Sequence, residues 1–252
     1  MNHNSVYLNI TSQYSISSLR IQNPYIVAWW SAAFPGFGHL LIGKLYLGYF
    51  LIVWEVIVNS LAHLNEGIYY SMVGEFEQAV HVLNVQYLVL YSPIYIYIIW
   101  DSYRCTQEIN HLTRAVFQEK KSSIHQQNMD IIDHNVNLKR NPIQSIIWSM
   151  LFPSLGYMYN NKFLSFIFGL LLWVTLSTLS HVYDGLYYSY IGDFQLAIDT
   201  VKPKWLLFLP SIYVFFAYHA FVDSVEHNRL SEFMNKIKLA KKFNPKSFKM
   251  PF

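Results

Sequence analysis

Residues 63–76 read HLNEGIYYSMVGEF, and residues 181–194 read HVYDGLYYSYIGDF. Seven of the 14 positions are identical, while Glu66/Asp184 and Glu75/Asp193 keep the charge. The two phrases lie 118 residues apart, and that spacing extends well beyond them. Residues 23–110 set against 141–228 without a gap give 24 identical pairs in 88. Apolar composition alone makes segments look alike. It does not place Asn23-Pro24 on Asn141-Pro142, Phe34-Pro35 on Phe152-Pro153, Gly38 on Gly156 and Lys44 on Lys162. The reading is a tandem duplication. A polar N-terminal segment (1–22) precedes a first unit (23–110), a polar linker (111–140), a second unit (141–228) and a basic tail (229–252).

The units are apolar. Of 252 residues 53% are hydrophobic and only 13% charged, against about a quarter charged in a soluble domain. Residues 45–64 contain one acid, and 82–100, 163–182 and 205–222 contain no Asp, Glu, Lys or Arg. About 20 apolar residues cross a bilayer core as a helix, and lipid leaves the backbone few other choices. The expected fold is an all-α integral membrane protein. The polar start lacks the features of a signal peptide, so the first span is expected to direct insertion. A single cysteine, Cys105, excludes an intrachain disulfide and a cysteine-cluster metal site.

Each unit opens with a further apolar segment, 26–43 in the first, interrupted by Pro35, Gly36 and Gly38. If it crossed the membrane, the basic linker and the basic tail would face opposite sides, against the positive-inside tendency. With two spans per unit, 16 of the 18 Lys and Arg fall on one side, and only Lys202 and Lys204 on the other. The expected topology is four spans in the cell membrane with both termini cytoplasmic. The Pro/Gly segments are then interfacial or re-entrant, anchored by Trp29, Trp30 and Trp148, and the units are related by a pseudo-twofold axis along the membrane normal. A membrane-impermeant maleimide directed at Cys105 would test the orientation.

The repeated phrase becomes the extracytoplasmic connection within each unit. Ile68, Met72, Phe76 and Ala79 recur at helical spacing and predict one short amphipathic helix, with its tyrosines at the interface.

Residues 35–48, PGFGHLLIGKLYLG, form P-G-x-G-x-x-x-x-G-K-x-x-x-G. This resembles the glycine-rich signature of TM2-domain proteins, in which spaced glycines and a basic residue precede an apolar helix. Trp100-Asp101, and less closely Phe221-Val222-Asp223, look like the acid that the family carries in its last span; matching them needs a shift of four residues from the 118 spacing. The second copy, PSLGYMYNNKFLSF, has Ser154, Asn161 and Phe166 in place of Gly36, Gly43 and Gly48, as in a diverged unit. The P-G-x-G phrase is also similar to the start of some sugar ABC transporter permeases. The TM2 resemblance implies a multi-pass module, often appended to other domains, without a common catalytic chemistry.

Three intramembrane acids, Glu55, Asp101 and Asp223, are candidate polar sites, since charge within a span is costly. For Glu55 the structural alternative is a carboxyl hydrogen-bonded to Asn59, and for Asp101 an ion pair with Arg104. An outer motif joins His63, Glu66, Tyr69 and Tyr70 to His181, Asp184, Tyr187 and Tyr188. Its acid–histidine pairs at i,i+3 either hold the helix ends or, should the units meet, bind a divalent metal through His63 and His181. Lys44 and Lys162 are expected to snorkel to lipid headgroups.

Nucleophile-elbow, H-E-x-x-H, Walker and dinucleotide motifs do not occur in the sequence. No cofactor, no nucleic-acid partner and no enzymatic activity are expected. The partners expected are the bilayer and another membrane protein, or a second copy. The leading function is an interaction or scaffold module; the alternative is a small transporter or channel subunit acting as an oligomer, with Glu55 at its centre.

Overall fold

The computed structural model describes residues 21–119 and 139–242, and every regular element within them is an α-helix. Residues 1–20, 120–138 and 243–252 lie outside, and with them most of the polar N-terminal segment, the centre of the linker and the end of the basic tail. The first half holds α1 (Pro24–Ala33), α2 (Phe37–Leu41), α3 (Leu45–Ala62), α4 (Leu64–Val73), α5 (Phe76–Val82) and α6 (Val85–Glu119). The second holds α7 (Pro142–Leu151), α8 (Leu155–Tyr159), α9 (Phe163–Ser180), α10 (Val182–Tyr190), α11 (Phe194–Thr200), α12 (Pro203–Leu206) and α13 (Phe208–Lys242). Adding 118 to the bounds of α1, α2, α3 and α5 gives those of α7, α8, α9 and α11.

Local chemistry sets these boundaries. The Asn23 side chain accepts from the Tyr25 amide and Pro24 occupies the first turn; Asn141, Ile143 and Pro142 do the same at α7. Proline disfavours helical backbone in the residue before it, so α1 ends at the extended Phe34 ahead of Pro35. Gly36 (φ 100°) and Gly43 (φ 81°) then turn the chain through left-handed backbone into α2 and α3.

In the second half the same turns are made by Ser154 (φ 81°) and Asn161 (φ 54°). Asparagine tolerates this region, whereas serine there costs about 1 kcal/mol. The space has been re-cut to fit: Gly48, which faces Gly36, has Phe166 as its counterpart, and Gly169, one turn on, lies against the Ser154 Cβ. The Ser154 hydroxyl is buried without a hydrogen-bond partner among the described residues. Ser154→Gly is therefore expected to stabilise the protein by about 0.5–1 kcal/mol, read as a higher thermal midpoint in detergent. Unchanged or lower stability would mean that the serine does more than occupy the turn.

Among the described residues three segments are long and apolar enough to cross a membrane: α3, α9 and the stretch Pro203–Arg229. A fourth qualifies only if α5 and α6 are taken together, and these are bent by 87°. The run expected to span at 82–100 does not qualify by itself: the helix through it starts at Val85, after the break at Leu83–Asn84, and its tyrosines dilute its hydropathy. At about 1.5 Å per residue, the 35 residues of α6 outreach a hydrocarbon core of about 30 Å. The helix continues through position 111 into the start of the linker, as the apolar spacing of Leu112, Val116 and Phe117 suggests, and α13 likewise continues through position 229.

The broken segments fold back onto the last helix of their own half, α1 on α6 and α7 on α13. Two matched clamps hold them. Asn110 accepts from the Gln22 amide (2.9 Å) and donates to the Gln22 carbonyl (2.7 Å), and Asn228 does the same with Arg140 (2.7 and 2.6 Å). At the crossing of α1 and α2, Gly38 lies against Ser31 and Val27; at that of α7 and α8, Gly156 lies against Ser149 and Ser145.

The largest buried cluster is shared between the halves. Phe37 of α2 stacks on Phe215 of α13, with ring centroids 3.8 Å apart, and Trp30 stacks on Tyr218 at 5.0 Å. Trp30, expected at the interface with Trp29 and Trp148, is therefore a core residue, while those two are exposed. These contacts are not reciprocal. A twofold axis that buries Phe215 against Phe37 would bury their counterparts Tyr97 and Leu155 against each other, yet Tyr97 is 57% exposed. The expected pseudo-twofold relation is not the one adopted.

Candidate functional site

The repeated phrase builds a lobe in each half. It is not the single amphipathic helix expected, because Gly74 (φ 88°) and Gly192 (φ 86°) end the first helix of each lobe. Most of the phrase serves the turn. His63 (φ 56°) and His181 (φ 53°) are left-handed joints between helices, each with Nδ1 against the acid three residues on, Glu66 at 2.5 Å and Asp184 at 3.0 Å. Gly67 and Gly185 admit Leu83 and Val201 against the helix backbone. Ser71 and Ser189 donate to the Gly67 and Gly185 carbonyls, both at 2.8 Å.

Of the tyrosines that remain, Tyr187 is exposed, while Tyr69, Tyr70 and Tyr188 are half-buried. Tyr69 and Tyr70 sit edge to face at 5.5 Å, Tyr187 and Tyr188 at 5.6 Å. Of the predicted stripe only Ala79 is buried; Ile68, Met72 and Phe76 are exposed. A hollow of about 350 Å³ opens between α4 and α5, lined by Leu64, Gly67, Ile68, Ser71, Met72 and Leu83. Among the described residues no three His, Cys, Asp or Glu side chains gather as metal ligands, so His63, Glu66, His181 and Asp184 do not form a shared site.

A second pair of polar clusters lies where the broken segments meet the last helices. In the first half His39 Nε2 is 3.2 Å from Asp101 Oδ2, and Arg104 donates to Asp101 Oδ1 at 2.7 Å. Lys44 Nζ is 2.9 Å from Cys105 Sγ, which lies 3.6 Å from Asp101. In the second half the Tyr157 hydroxyl meets His219 Nδ1 at 2.9 Å, His219 Nε2 lies 3.6 Å from Asp223, and Lys162 Nζ pairs with Asp223 at 2.8 Å. Positions 39, 44, 101 and 105 have 157, 162, 219 and 223 as their counterparts, so the same pairs of positions touch in both halves with different side chains.

This accounts for the four-residue offset between Asp101 and Asp223. The acid sits one helical turn apart in the two halves and answers a histidine in one and a lysine in the other. Lys44 and Lys162, expected at headgroups, reach inward instead, because a carboxylate or thiol on the facing helix offers a closer partner than lipid does. His39, Tyr157 and His219 were not singled out in the sequence, although the 118 spacing pairs 39 with 157 and 101 with 219.

Glu55 stands apart from both clusters. It is buried between α3 and α6, and its Oε1 accepts from Asn59 at 3.0 Å and from the Tyr91 hydroxyl at 3.3 Å. Asn59 continues to Asn65, whose amide donates to the Lys204 carbonyl of the second half at 2.9 Å. Cys105 is buried, so it is a poor target for the maleimide test of orientation.

The chain matches no family model, no curated protein and no solved structure.

Proposed function

We propose that the chain is a tandemly duplicated, TM2-like module of the cell membrane that binds or organises a partner membrane protein through its outer lobes. The four spans are α3, α6, α9 and α13. Both termini and the broken segments lie at the cytoplasmic face, in keeping with 16 of 18 basic residues on that side.

One observation carries the reading. Both halves build the same lobe, spend its histidine, acid, serine and glycines on the turn, and leave apolar side chains exposed at equivalent positions, Ile68, Met72 and Phe76 in one and Leu186, Tyr190 and Phe194 in the other. Residues that only closed a loop would not need an exposed apolar row rebuilt in both halves. Aromatic rings and methionine are enriched in the centre of contact surfaces.

The test is a crosslinked pull-down from native membranes with mass-spectrometric identification. It compares the wild type with a variant carrying Tyr69→Ser, Tyr70→Ser, Tyr187→Ser and Tyr188→Ser. A stoichiometric partner that the variant loses is the expected result; a partner retained by the variant would remove the lobes from the account.

Orientation is checked separately in a Cys105→Ala background. Tyr190→Cys should react with an impermeant maleimide in intact cells, and Glu108→Cys only after permeabilisation; the reverse pattern would invert the topology.

The transport alternative rests on Glu55, whose Oε2 has no hydrogen-bond partner among the described residues. A solute flux in liposomes that Glu55→Gln abolishes, with folding intact, would favour it.

A further inference from the structure

Besides the α3–α9 and α4–α12 contacts, the joint between the halves sets two different faces together: α1–α2 of the first half and α13 of the second. The chain carries each face twice, and the other two are partly uncovered: Leu155 and Phe152 are half-buried, the remaining counterparts exposed. Phe37 and Phe215, both fully buried against each other, have Leu155 and Tyr97 as counterparts, and Tyr97 is 57% exposed. Trp30, 6% exposed against Tyr218, has the counterpart Trp148 at 46%, and the counterpart of Tyr218 is Trp100 at 53%. Phe208 is 4% exposed, whereas its counterpart Leu90 is 54% exposed. The open positions have kept large apolar or aromatic side chains throughout.

A contact between unlike faces does not close on itself. It leaves one face of each kind free, and repetition extends it into a ring or a longer array. Here the free faces are α6 (Leu90, Tyr97, Trp100) and α7–α8 (Trp148, Leu155). They sit on the same backbone positions as the two faces already joined within the chain.

We propose that a second copy of this chain is the occupant: α7–α8 of one chain docks on α6 of the next, repeating between chains the contact that joins the halves within one. Continuity with the internal interface singles out this partner. A surface shaped only for lipid has no need of aromatic rings in the register of a ring-stacked joint. Association of helices inside a bilayer depends on such packing, because apolar area alone gives no preference for protein over lipid tails. The surface is separate from the outer lobes and goes beyond the function proposed for them.

The test uses two differently tagged chains, both Cys105→Ala, co-expressed in membranes. One carries Trp100→Cys and the other Trp148→Cys, and a short bis-maleimide is the probe. Both substituted positions are exposed, and folding is checked by wild-type elution in detergent. The expected result is a mixed-tag covalent dimer about tenfold above either same-tag dimer, since only unlike faces meet. Mixed and same-tag dimers at equal low yield, from chains that elute as folded protein, would overturn the proposal and leave these faces to lipid. A predominant same-tag dimer would overturn it too, in favour of a symmetric contact. Either failure leaves the pull-down on the tyrosine lobes unaffected.

Discussion

Gly38→Val and Gly156→Val are each expected to abolish a stable, monodisperse protein. A Cβ at position 38 would lie 2.2 Å from Ser31 Oγ and 2.5 Å from the Val27 carbonyl; at position 156 it would lie 2.0 Å from Ser149 Oγ and 2.6 Å from the Ser145 carbonyl. A serine side chain can rotate away. A carbonyl in the middle of a helix cannot, so α1 would have to separate from α2, or α7 from α8. At position 156 the new atom would also meet Ala220 of α13 at 2.7 Å. Overpacking ordinarily costs about 1–3 kcal/mol. A clash with backbone that also pries a broken segment from its supporting helix belongs to the rare class above about 4 kcal/mol. Gly74 is the control. A Cβ there would have no neighbour within 4 Å, and the position needs only its positive φ. Asparagine tolerates that backbone, so Gly74→Asn should cost under about 1 kcal/mol. Size-exclusion profiles after a thermal challenge in detergent separate the two cases. A Gly38→Val protein as robust as Gly74→Asn would show that α1 and α2 do not cross so closely.

That Gly38 and Gly156 share a register was legible in the sequence; that each marks a helix crossing was not. Spacing reports that two positions are equivalent without saying what approaches them. The same limit explains the repeated phrase. Period alone joined Ile68, Met72, Phe76 and Ala79 into one helix, whereas the left-handed backbone at Gly74 divides it. The apolar runs announced membrane-crossing helices, and α3 and α9 begin at the residues where those runs begin. At 82–100 the run gave no sign of the 87° bend between α5 and α6, which depends on a break at Leu83–Asn84.

The polar clusters were half legible. Asp101 with Arg104, and Glu55 with Asn59, follow from helical spacing because both partners lie on one helix. His39 with Asp101, Tyr157 with His219, and Lys162 with Asp223 each join two helices about 60 residues apart, and local periodicity carries no information about such pairs. The unequal partners of the two halves also hid them. A comparison by identity sees Asp101 matched to His219 and Cys105 matched to Asp223 as unrelated, although each pair of positions makes the same contact.

Asp101→Ala should therefore be among the most damaging polar substitutions, and its damage should be partly reversible one turn away. The carboxylate of Asp101 holds His39 at 3.2 Å and Arg104 at 2.7 Å, with the Cys105 thiol at 3.6 Å, and so ties α2 to α6. Arg104 keeps its second partner, Glu108, at 2.6 Å. His39 is almost wholly buried and would lose the bond at Nε2. Truncating one member of a buried polar pair costs about 3 kcal/mol. The second half shows where an acid can serve instead. Cys105 Sγ occupies, 2.9 Å from Lys44, the place that Asp223 takes 2.8 Å from Lys162. Adding Cys105→Asp to Asp101→Ala should restore a strong tie between the broken segment and α6, now through Lys44, while leaving His39 unanswered. About half of the lost stability should return. Cys105→Asp alone should gain little or lose stability, since two carboxylates one turn apart on a helix repel. Thermal midpoints of the three variants in one detergent decide the matter. A double variant no more stable than Asp101→Ala would mean that the two clusters, though built on equivalent positions, are not interchangeable in the work they do.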